Sequence, residues 1–193
     1  MKKTVLMTCA VAMVAACVQA QSWVKKEKEP EKTKGWIDNF EQAQKEAEAF
    51  KQPIFAFFTG SDWCGWCVRL KKEALDTKAF EKFAADNLIL FEADFPRTKK
   101  ISDKVKKQNG ELASKYKVRG YPTVFLLDAE GKQLGRTGYK EGGAGAYVNH
   151  LKELLKTAGI ETVEKPEATK PLSAYEKMKA EKAAKAAQGA EKK

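Results

Sequence analysis

The feature that most constrains the fold is an uninterrupted apolar run, Ile54 to Phe58, placed just before the sequence Trp63-Cys64-Gly65-Trp66-Cys67. A short, continuous apolar run that is rich in aromatic residues is typical of a strand buried on both faces, as in a sheet covered by helices. After the cysteines, apolar residues recur at helical spacing, namely Val68, Leu70, Ala74 and Leu75. The pattern predicts a strand followed by a helix, with Cys64 at the helix N-terminus.

The rest of the chain continues this alternation of strands and helices. A helix is predicted over 77–86 and a strand over 88–93, and because a strand, a helix and a strand in this order require a crossover, the two strands should be parallel. Before them, a helix is predicted over 38–51 with Asp38 as its N-cap. The remaining predicted elements are a short helix over 111–116, a strand over 123–127, a turn over 128–131, a strand over 132–137 and a helix over 144–158.

Length and charge limit the domain count and the kind of partner. The 193 residues allow one domain, predicted over 35–160, preceded by a charged linker over 21–34 and followed by a tail rich in Lys, Ala and Glu over 161–193. The whole chain has a net charge of +10, but residues 35–160 hold 21 basic and 17 acidic residues. The folded part is therefore only weakly basic, which argues against nucleic-acid binding.

The first twenty residues have the pattern of an export signal. Lys2 and Lys3 precede an apolar run, 5–16, that is too short to span a bilayer as a helix. Two processing sites compete at its end: small residues ending at Ala20 suit a signal peptidase, whereas 14–17 resembles a bacterial lipobox, in which Cys17 would be lipidated. Cleavage after Ala20, lipidation of Cys17 and a retained helical anchor all stay open.

Cysteine usage indicates chemistry rather than stabilisation. Of four cysteines, Cys9 and Cys17 lie in the signal segment, so only Cys64 and Cys67 remain for the domain. A disulfide between them closes almost no loop and would add little stability. Structural zinc requires four ligands, and the only histidine is His150, so we expect no metal and assign His150 no role.

Two motifs together carry a family resemblance. Trp63-Cys64-Gly65-Trp66-Cys67 follows a buried strand and Gly120-Tyr121-Pro122-Thr123 precedes another, and with these motifs residues 35–160 resemble the thioredoxin superfamily. The chain is most similar to exported bacterial proteins with an F-x-G-x-D-W-C-x-x-C pattern, relatives of small disulfide isomerases. The resemblance implies an α/β thioredoxin-like fold, a central mixed β-sheet flanked by helices, here with an N-terminal helix extension and a C-terminal charged tail.

The chemistry of thiol-disulfide exchange explains the positions of the two cysteines. Exchange requires a thiolate, and a free cysteine with a pKa near 8.5 is mostly protonated at neutral pH. Unpaired N–H groups and the helix dipole favour the anion at Cys64, which we expect to be the exposed nucleophile. Cys67, one turn later and partly buried, would attack the mixed disulfide and release the substrate.

The resemblance also assigns residues around the cysteines. It implies that Pro122 is the superfamily's cis-proline, although an ordinary loop proline is the alternative, and that the backbone of Tyr121 pairs with the substrate. Trp63 and Gly65 are expected to support the active site, Trp63 by packing and shielding the disulfide rather than by binding. Trp66 must face outward near the sulfur, which favours substrate contact over a purely structural role.

One departure from thioredoxin concerns the proton of Cys67. Six residues before Cys64, where thioredoxin keeps a buried Asp that helps to take this proton, the chain has Phe58. Asp62, Glu92 or Asp94 would have to substitute through water, and the sequence does not choose among them. Trp66 also replaces the Pro of thioredoxin and the His of animal isomerases, which argues against a very strong oxidant.

Two further segments have no role in this chemistry. Residues 95–110 hold six basic residues and one acid, and a solvated insertion is expected, with docking of an acidic partner or substrate as the alternative. The tail over 161–193 has a thin apolar stripe, so a disordered or solvated helical tail is expected rather than a partner site.

The sequence thus predicts a monomeric thiol-disulfide oxidoreductase of the bacterial cell envelope that needs no cofactor. Its partners would be protein thiols and disulfides together with an upstream redox partner, and it would contact a membrane only if Cys17 is lipidated. A binding module or chaperone that uses the groove beside Pro122 without turnover is the alternative. Whether the protein reduces, isomerises or oxidises is not fixed by the sequence.

Overall fold

The computed structural model describes residues 31–163, which form a five-stranded sheet with helices on both faces. The predicted signal segment with Cys17, most of the linker and nearly all of the tail lie outside the described residues. Within the described part, no helix is long and apolar enough to cross a membrane.

Strands and helices alternate along the chain as the sequence predicted. The strands are β1 (Trp36–Ile37), β2 (Ile54–Thr59), β3 (Ile89–Asp94), β4 (Thr123–Leu127) and β5 (Gln133–Thr137). The helices are α1 (Phe40–Phe50), α2 (Gly65–Leu70), α3 (Lys78–Asn87), α4 (Asp103–Lys115) and α5 (Gly143–Thr157). A π-helical stretch, Lys71–Leu75, continues α2.

The sheet is mixed, with the order β1-β3-β2-β4-β5. β2 pairs in parallel with β3, from Ile54 opposite Ile89 to Thr59 opposite Asp94, so the predicted parallel pairing is confirmed. On its other side β2 pairs antiparallel with β4. All six residues of β2 are buried, which is why its sequence is a continuous apolar run.

Two hydrophobic cores lie on the opposite faces of the sheet. One contains Cys64 and Cys67 together with Phe55 and Phe57 of β2 and the inner faces of α3 and α5. The other contains Phe58 and the apolar residues of α1 and α4. Alternate residues of β2 thus belong to alternate cores, as the period of a strand requires.

The structure corrects three predictions about element ends. The N-cap of α1 is Asn39 rather than Asp38: the Asn39 side chain accepts a hydrogen bond from the Gln42 N–H at 3.1 Å, while the Asp38 carbonyl accepts one from Gln108. The short edge strand β1 was not predicted, because its two residues are fixed only by pairing with β3.

The third correction concerns the helix predicted over 111–116, which begins earlier. Residues 103–110, predicted as part of a solvated insertion, already belong to α4, which begins after Ser102, whose hydroxyl accepts a hydrogen bond from the Val105 N–H. This helix contains few buried residues. Its first half is rich in Lys and lacks the spacing of apolar residues that would predict a helix. Asn109, only 1% exposed, donates from Nδ2 to the Asp94 carbonyl at 2.9 Å and so ties α4 to the end of β3.

Candidate active site

The two cysteines of the site form a disulfide at the start of α2. Cys64 is the N-cap residue of this helix, with extended backbone, and its Sγ accepts a hydrogen bond from the Cys67 N–H at 3.2 Å. The Cα atoms of Cys64 and Cys67 are 5.2 Å apart. A sulfur that already accepts a helix N-terminal N–H is placed to be stabilised as a thiolate when the disulfide is reduced.

The structure corrects the expectation that Cys64 is an exposed residue. Cys64 is only 6% exposed and Cys67 is fully buried. Bonding of the two sulfurs holds Cys64 against the core, and the neighbouring tryptophans occupy the surface, with Trp63 38% and Trp66 55% exposed. Of the two cysteines, only Cys64 keeps any exposed surface in this oxidised state.

Trp63 is fixed on several sides. Its Nε1 donates to the Phe95 carbonyl at 2.8 Å, and its ring meets the Tyr121 ring edge-on with centroids 5.7 Å apart. The Arg97 guanidinium lies 4.2 Å from the Trp63 ring centroid. A Cβ built on Gly60 would lie 2.5 Å from Nε1 of Trp63, so this position accommodates only glycine while the indole stays in place.

Trp66 is held from the other side of the disulfide. Its ring lies 5.1 Å from the Tyr139 ring, and the Arg69 guanidinium lies 5.3 Å from the Trp66 centroid. Glu73 connects the two partners, since its carboxylate accepts from Arg69 Nε at 2.7 Å and from the Tyr139 hydroxyl at 2.6 Å. Both hydrogen bonds lower the pKa of Glu73, and that from the Tyr139 hydroxyl has the larger effect. In turn, the hydrogen bond to the Glu73 carboxylate raises the pKa of Tyr139.

The peptide bond between Tyr121 and Pro122 is cis, as the resemblance implied. The Thr123 hydroxyl donates to the Gly120 carbonyl at 2.8 Å and closes this turn. The Tyr121 ring also lies 5.3 Å from the ring of Phe95, and burial raises the pKa of the Tyr121 hydroxyl. The Tyr121 ring therefore contacts both Phe95 and Trp63, the residue directly before Cys64.

Of the three carboxylates that were candidates to take the proton of Cys67, those of Asp62 and Asp94 already accept hydrogen bonds. Asp62 accepts from the Arg97, Thr98 and Lys99 N–H groups and from the Thr98 hydroxyl, which lies 2.6 Å from Oδ2. These bonds, that of the Thr98 hydroxyl first, hold the pKa of Asp62 well below its usual range. Asp94 accepts from the N–H and the hydroxyl of Ser61 at 2.8 and 2.6 Å.

Glu92 is the third, and its environment differs. It accepts no hydrogen bond from the described residues, and its nearest cation is Lys71, whose Nζ lies 3.8 Å from Oε1. Burial raises the pKa of Glu92, an effect that Lys71 reduces and Asp94 increases. A partly buried carboxyl whose pKa is shifted towards neutrality is suited to exchange a proton.

In the structure Phe57, and not Phe58, lies on the face of the sheet that packs against the disulfide. Phe58 points to the core on the opposite face of the sheet, and Phe57 belongs to the core that contains Cys64 and Cys67. Counting six residues back from Cys64 therefore gave a residue on the wrong face. The side chain of Phe57 cannot accept a proton either, but Phe57 pairs in register with Glu92 on β3.

Sequence reasoning missed several residues of this site. Arg97 and Tyr139 reach the tryptophans through contacts between distant segments, which no local pattern predicts. Arg69 and Glu73 follow Trp66 on the same helical stretch, and their spacing of three and four residues is a signal that could have found them. His150 lies away from them, with Nε2 2.9 Å from the Thr137 hydroxyl and with a pKa that burial lowers. Within residues 31–163 no cluster of three or more His, Cys, Asp or Glu side chains could hold a metal ion.

Comparisons with known proteins agree with this geometry. The profile of the thioredoxin-like domain family matches residues 40–147. The disulfide bond reductase DsbH of Chlamydia pneumoniae is 40% identical over 119 residues, which are 62% of this chain and 72% of DsbH. A solved structure of a DsbH oxidoreductase superposes with a TM-score of 0.61 at 35% identity, covering 72% of this chain and 98% of that one.

A more distant relative matches over a shorter part of its length. The thioredoxin-related protein DsbJ of Chlamydia pneumoniae is 27% identical over 103 residues, 53% of this chain but only 30% of DsbJ. The match therefore concerns one part of DsbJ.

Proposed function

The chain belongs to the thioredoxin-like domain family and is a thiol-disulfide oxidoreductase, and from this premise we propose that it reduces protein disulfides, with Cys64 as the nucleophile and Cys67 as the resolving cysteine. The observation that carries the assignment of roles is the N-cap position of Cys64, whose sulfur accepts the Cys67 N–H while Cys67 is fully buried. Reduction is the favoured direction because the relative DsbH is named a reductase.

The reaction consists of two exchanges. The Cys64 thiolate attacks one sulfur of the substrate disulfide; a bond from Cys64 to the substrate forms, the substrate disulfide breaks, and the electron pair leaves on its second sulfur. Cys67 then loses its proton and attacks Cys64 Sγ, so that the Cys64–Cys67 disulfide forms and the first substrate sulfur leaves as a thiolate. The substrate gains two electrons and two protons, which an upstream protein dithiol must return to this chain.

Glu92 is the residue that we assign to the proton of Cys67, acting through water. Asp62 and Asp94 already accept hydrogen bonds, whereas Glu92 has a raised pKa and pairs in register with Phe57, on the disulfide side of the sheet. Glu92→Gln should lengthen the lifetime of the mixed disulfide at neutral pH, with the rate of Cys64 alkylation retained. An unchanged lifetime in a single-turnover measurement would remove Glu92 from this role.

Substrate contact is assigned to Trp66, Tyr121 and Pro122, with Trp63 and Gly65 supporting the cysteines. What supports this assignment is the 55% exposure of Trp66, the contact of the Tyr121 ring with Trp63 and the cis bond before Pro122. An extended substrate segment would pair with the backbone of Tyr121.

We assign the protein to the cell envelope, as a monomer. The support is the N-terminal pattern of Lys2 and Lys3 followed by an apolar run, together with cysteines used for exchange. The mass of the mature protein tests the processing: cleavage after Ala20 and lipidation of Cys17 leave N-termini of different mass, and an uncleaved chain would contradict both.

Trapping tests the proposed function. The full-length Cys67→Ser variant is expressed in the bacterium that the protein comes from. In the cell envelope it should accumulate partner proteins bound through Cys64 by a bond that reductant breaks. Cys64→Ser, the matched control, should accumulate none. The same partners recovered from both variants without a reducible bond would instead indicate a binding module or chaperone.

A further inference from the structure

Arg97 is held beside the nucleophile by its own backbone. Three consecutive N–H groups, those of Arg97, Thr98 and Lys99, donate to the carboxylate of Asp62, at distances of 2.6 to 3.1 Å. The loop so fixed places the Arg97 guanidinium over Trp63, the residue directly before Cys64. Since these bonds come from the main chain, they fix the loop whatever side chain follows at position 97.

The two arginines that flank the disulfide differ in their charge balance. Arg69, over Trp66, forms an ion pair with Glu73 at 2.7 Å and is thereby neutralised. Arg97 forms no ion pair with any described residue, and its side chain is exposed. On the Trp63 side of the site the Arg97 guanidinium is therefore not paired with a carboxylate, since the Asp62 oxygens are bound by backbone N–H groups, whereas on the Trp66 side the guanidinium of Arg69 is paired.

Arg97 is also one of the residues that line a polar groove. Its volume is about 540 Å³, and its basic lining residues are Arg97, Lys99, Lys100 and Lys106. Asp94 and Asp103 also line it, and Lys99 Nζ lies 3.9 Å from Asp94 Oδ2, so four basic residues face two acidic ones and the groove stays positively charged. Phe95, another lining residue, has its ring centroid 5.3 Å from that of Tyr121, so the groove adjoins the residue along which a substrate segment is proposed to bind.

We propose that the surface formed by Arg97 and this groove favours oxidised polypeptides with acidic residues flanking the reactive cysteine. Arg97 is the residue that binds these acidic side chains. The proposal rests on the proposed function, because it concerns the substrate of the same site. Arg97 does not take part in the exchange; it attracts a carboxylate of the segment bound along Tyr121. A solvent-exposed ion pair of this kind gives an effect of about twofold to fivefold, which salt screens.

The test uses two synthetic peptides, each with one cysteine joined to 2-thiopyridine by a disulfide. They differ only in having Glu or Gln on both sides of the cysteine. When the Cys64 thiolate attacks the peptide sulfur, the peptide becomes bonded to Cys64 and 2-thiopyridone leaves with the electron pair, so its absorbance follows the step. We expect the reduced full-length protein to react about threefold faster with the Glu peptide at low ionic strength.

Variants then assign this preference to Arg97. In Arg97→Gln the Glu to Gln rate ratio should fall close to one, and Arg97→Lys should restore part of it. Arg136→Gln is the matched control, since Arg136 is an exposed arginine over an aromatic ring, 5.4 Å from the Phe125 centroid, on β5. It should keep the ratio of the unmodified protein.

The outcomes separate this inference from the proposed function. Equal rates for both peptides with the unmodified protein, or an unchanged ratio in Arg97→Gln, would overturn the role of Arg97. Failure of the reduced protein to release 2-thiopyridone from either peptide would instead contradict the proposed exchange at Cys64.

Discussion

At the scale of single residues, the difference between Cys64 and Cys67 comes from position alone. Both sulfurs are chemically identical, but Cys64 precedes the first turn of α2 and accepts the Cys67 N–H, whereas Cys67 lies inside the core. A helix N-terminus stabilises an anion, and an apolar core destabilises one. We therefore expect the thiol at the helix start, that of Cys64, to react first.

Alkylation of the reduced protein measures this difference. Iodoacetamide should modify Cys64 before Cys67, and the pH dependence of the Cys64 rate should give an apparent pKa below the value of about 8.5 for a free thiol. Mass spectrometry of peptides after timed quenching assigns the label. Equal labelling of the two cysteines, or a Cys64 that titrates as a free thiol, would contradict the assignment of roles.

Gly60 is the residue on which the orientation of Trp63 depends. Because a Cβ at position 60 would lie 2.5 Å from Nε1 of Trp63, Gly60→Ala should displace the indole and break its bond to the Phe95 carbonyl. The Trp63 indole N–H resonance in an NMR spectrum should shift strongly. Gly65→Ala is the control, since a Cβ there meets nothing within 4 Å, and it should leave that resonance near its position.

At the scale of elements, β3 contains a carboxyl whose burial makes stability depend on pH. Burial raises the pKa of Glu92 above its unfolded value, about 4.3, so ionisation is more costly in the folded state. The contribution of Glu92 to the free energy of unfolding is fully present below the unfolded pKa and decreases as pH rises through the folded pKa. The groups that face it are Lys71, Asp76, Asp94 and Lys99.

Glu92→Gln removes this ionisation. The difference in unfolding free energy between Glu92→Gln and the unmodified protein should therefore increase in favour of the variant as pH rises from about 4 to 7. Urea unfolding at a series of pH values measures it. A difference that stays flat over this pH range would contradict the buried environment of Glu92.

The attachment of α4 to the sheet gives a second prediction at this scale. Asn109→Ala removes the donor to the Asp94 carbonyl and leaves a buried acceptor unpaired, so the free energy of unfolding should fall by about 1 to 3 kcal/mol. Ser114→Ala, exposed on the same helix, should change it by less than about 0.5 kcal/mol. Chemical denaturation of both variants measures the difference, and equal stabilities would show that Asn109 does not hold α4.

How far the sequence predicts these elements depends on whether a local pattern defines them. The run at β2 and the spacing after Cys67 are local, so the buried strand, the helix start at Cys64 and the parallel neighbour were predictable. The run is apolar on both faces of the sheet, so it did not show that Phe57 rather than Phe58 faces the cysteines. Contacts between distant segments, such as that of Arg97 with Trp63, leave no local pattern.

At the scale of the whole molecule, hydrogen bonds to the domain continue beyond the predicted limits of 35–160 at both ends. Lys32 Nζ donates to Gln52 Oε1 at 2.5 Å and to the Ala85 carbonyl, near the end of α3, at 2.7 Å. At the other end, the Val163 N–H donates to Asn87 Oδ1 at 2.6 Å, and Asn87 Nδ2 donates to the Val163 carbonyl at 3.0 Å. Asn87 is a buried amide, so its partners matter to the free energy of unfolding.

These contacts predict that a chain trimmed to 35–160 is less stable than one trimmed to 31–163. The shorter chain loses the Lys32 bonds and leaves Asn87 without the backbone of Val163, and unpaired buried polar groups cost about 1 to 3 kcal/mol each. We therefore expect the free energy of unfolding to be lower by about 2 to 4 kcal/mol, measured by urea denaturation of both oxidised chains. Because the disulfide and the sheet are common to both chains, equal stabilities would mean that the end segments contribute nothing and that the folded unit is limited to 35–160.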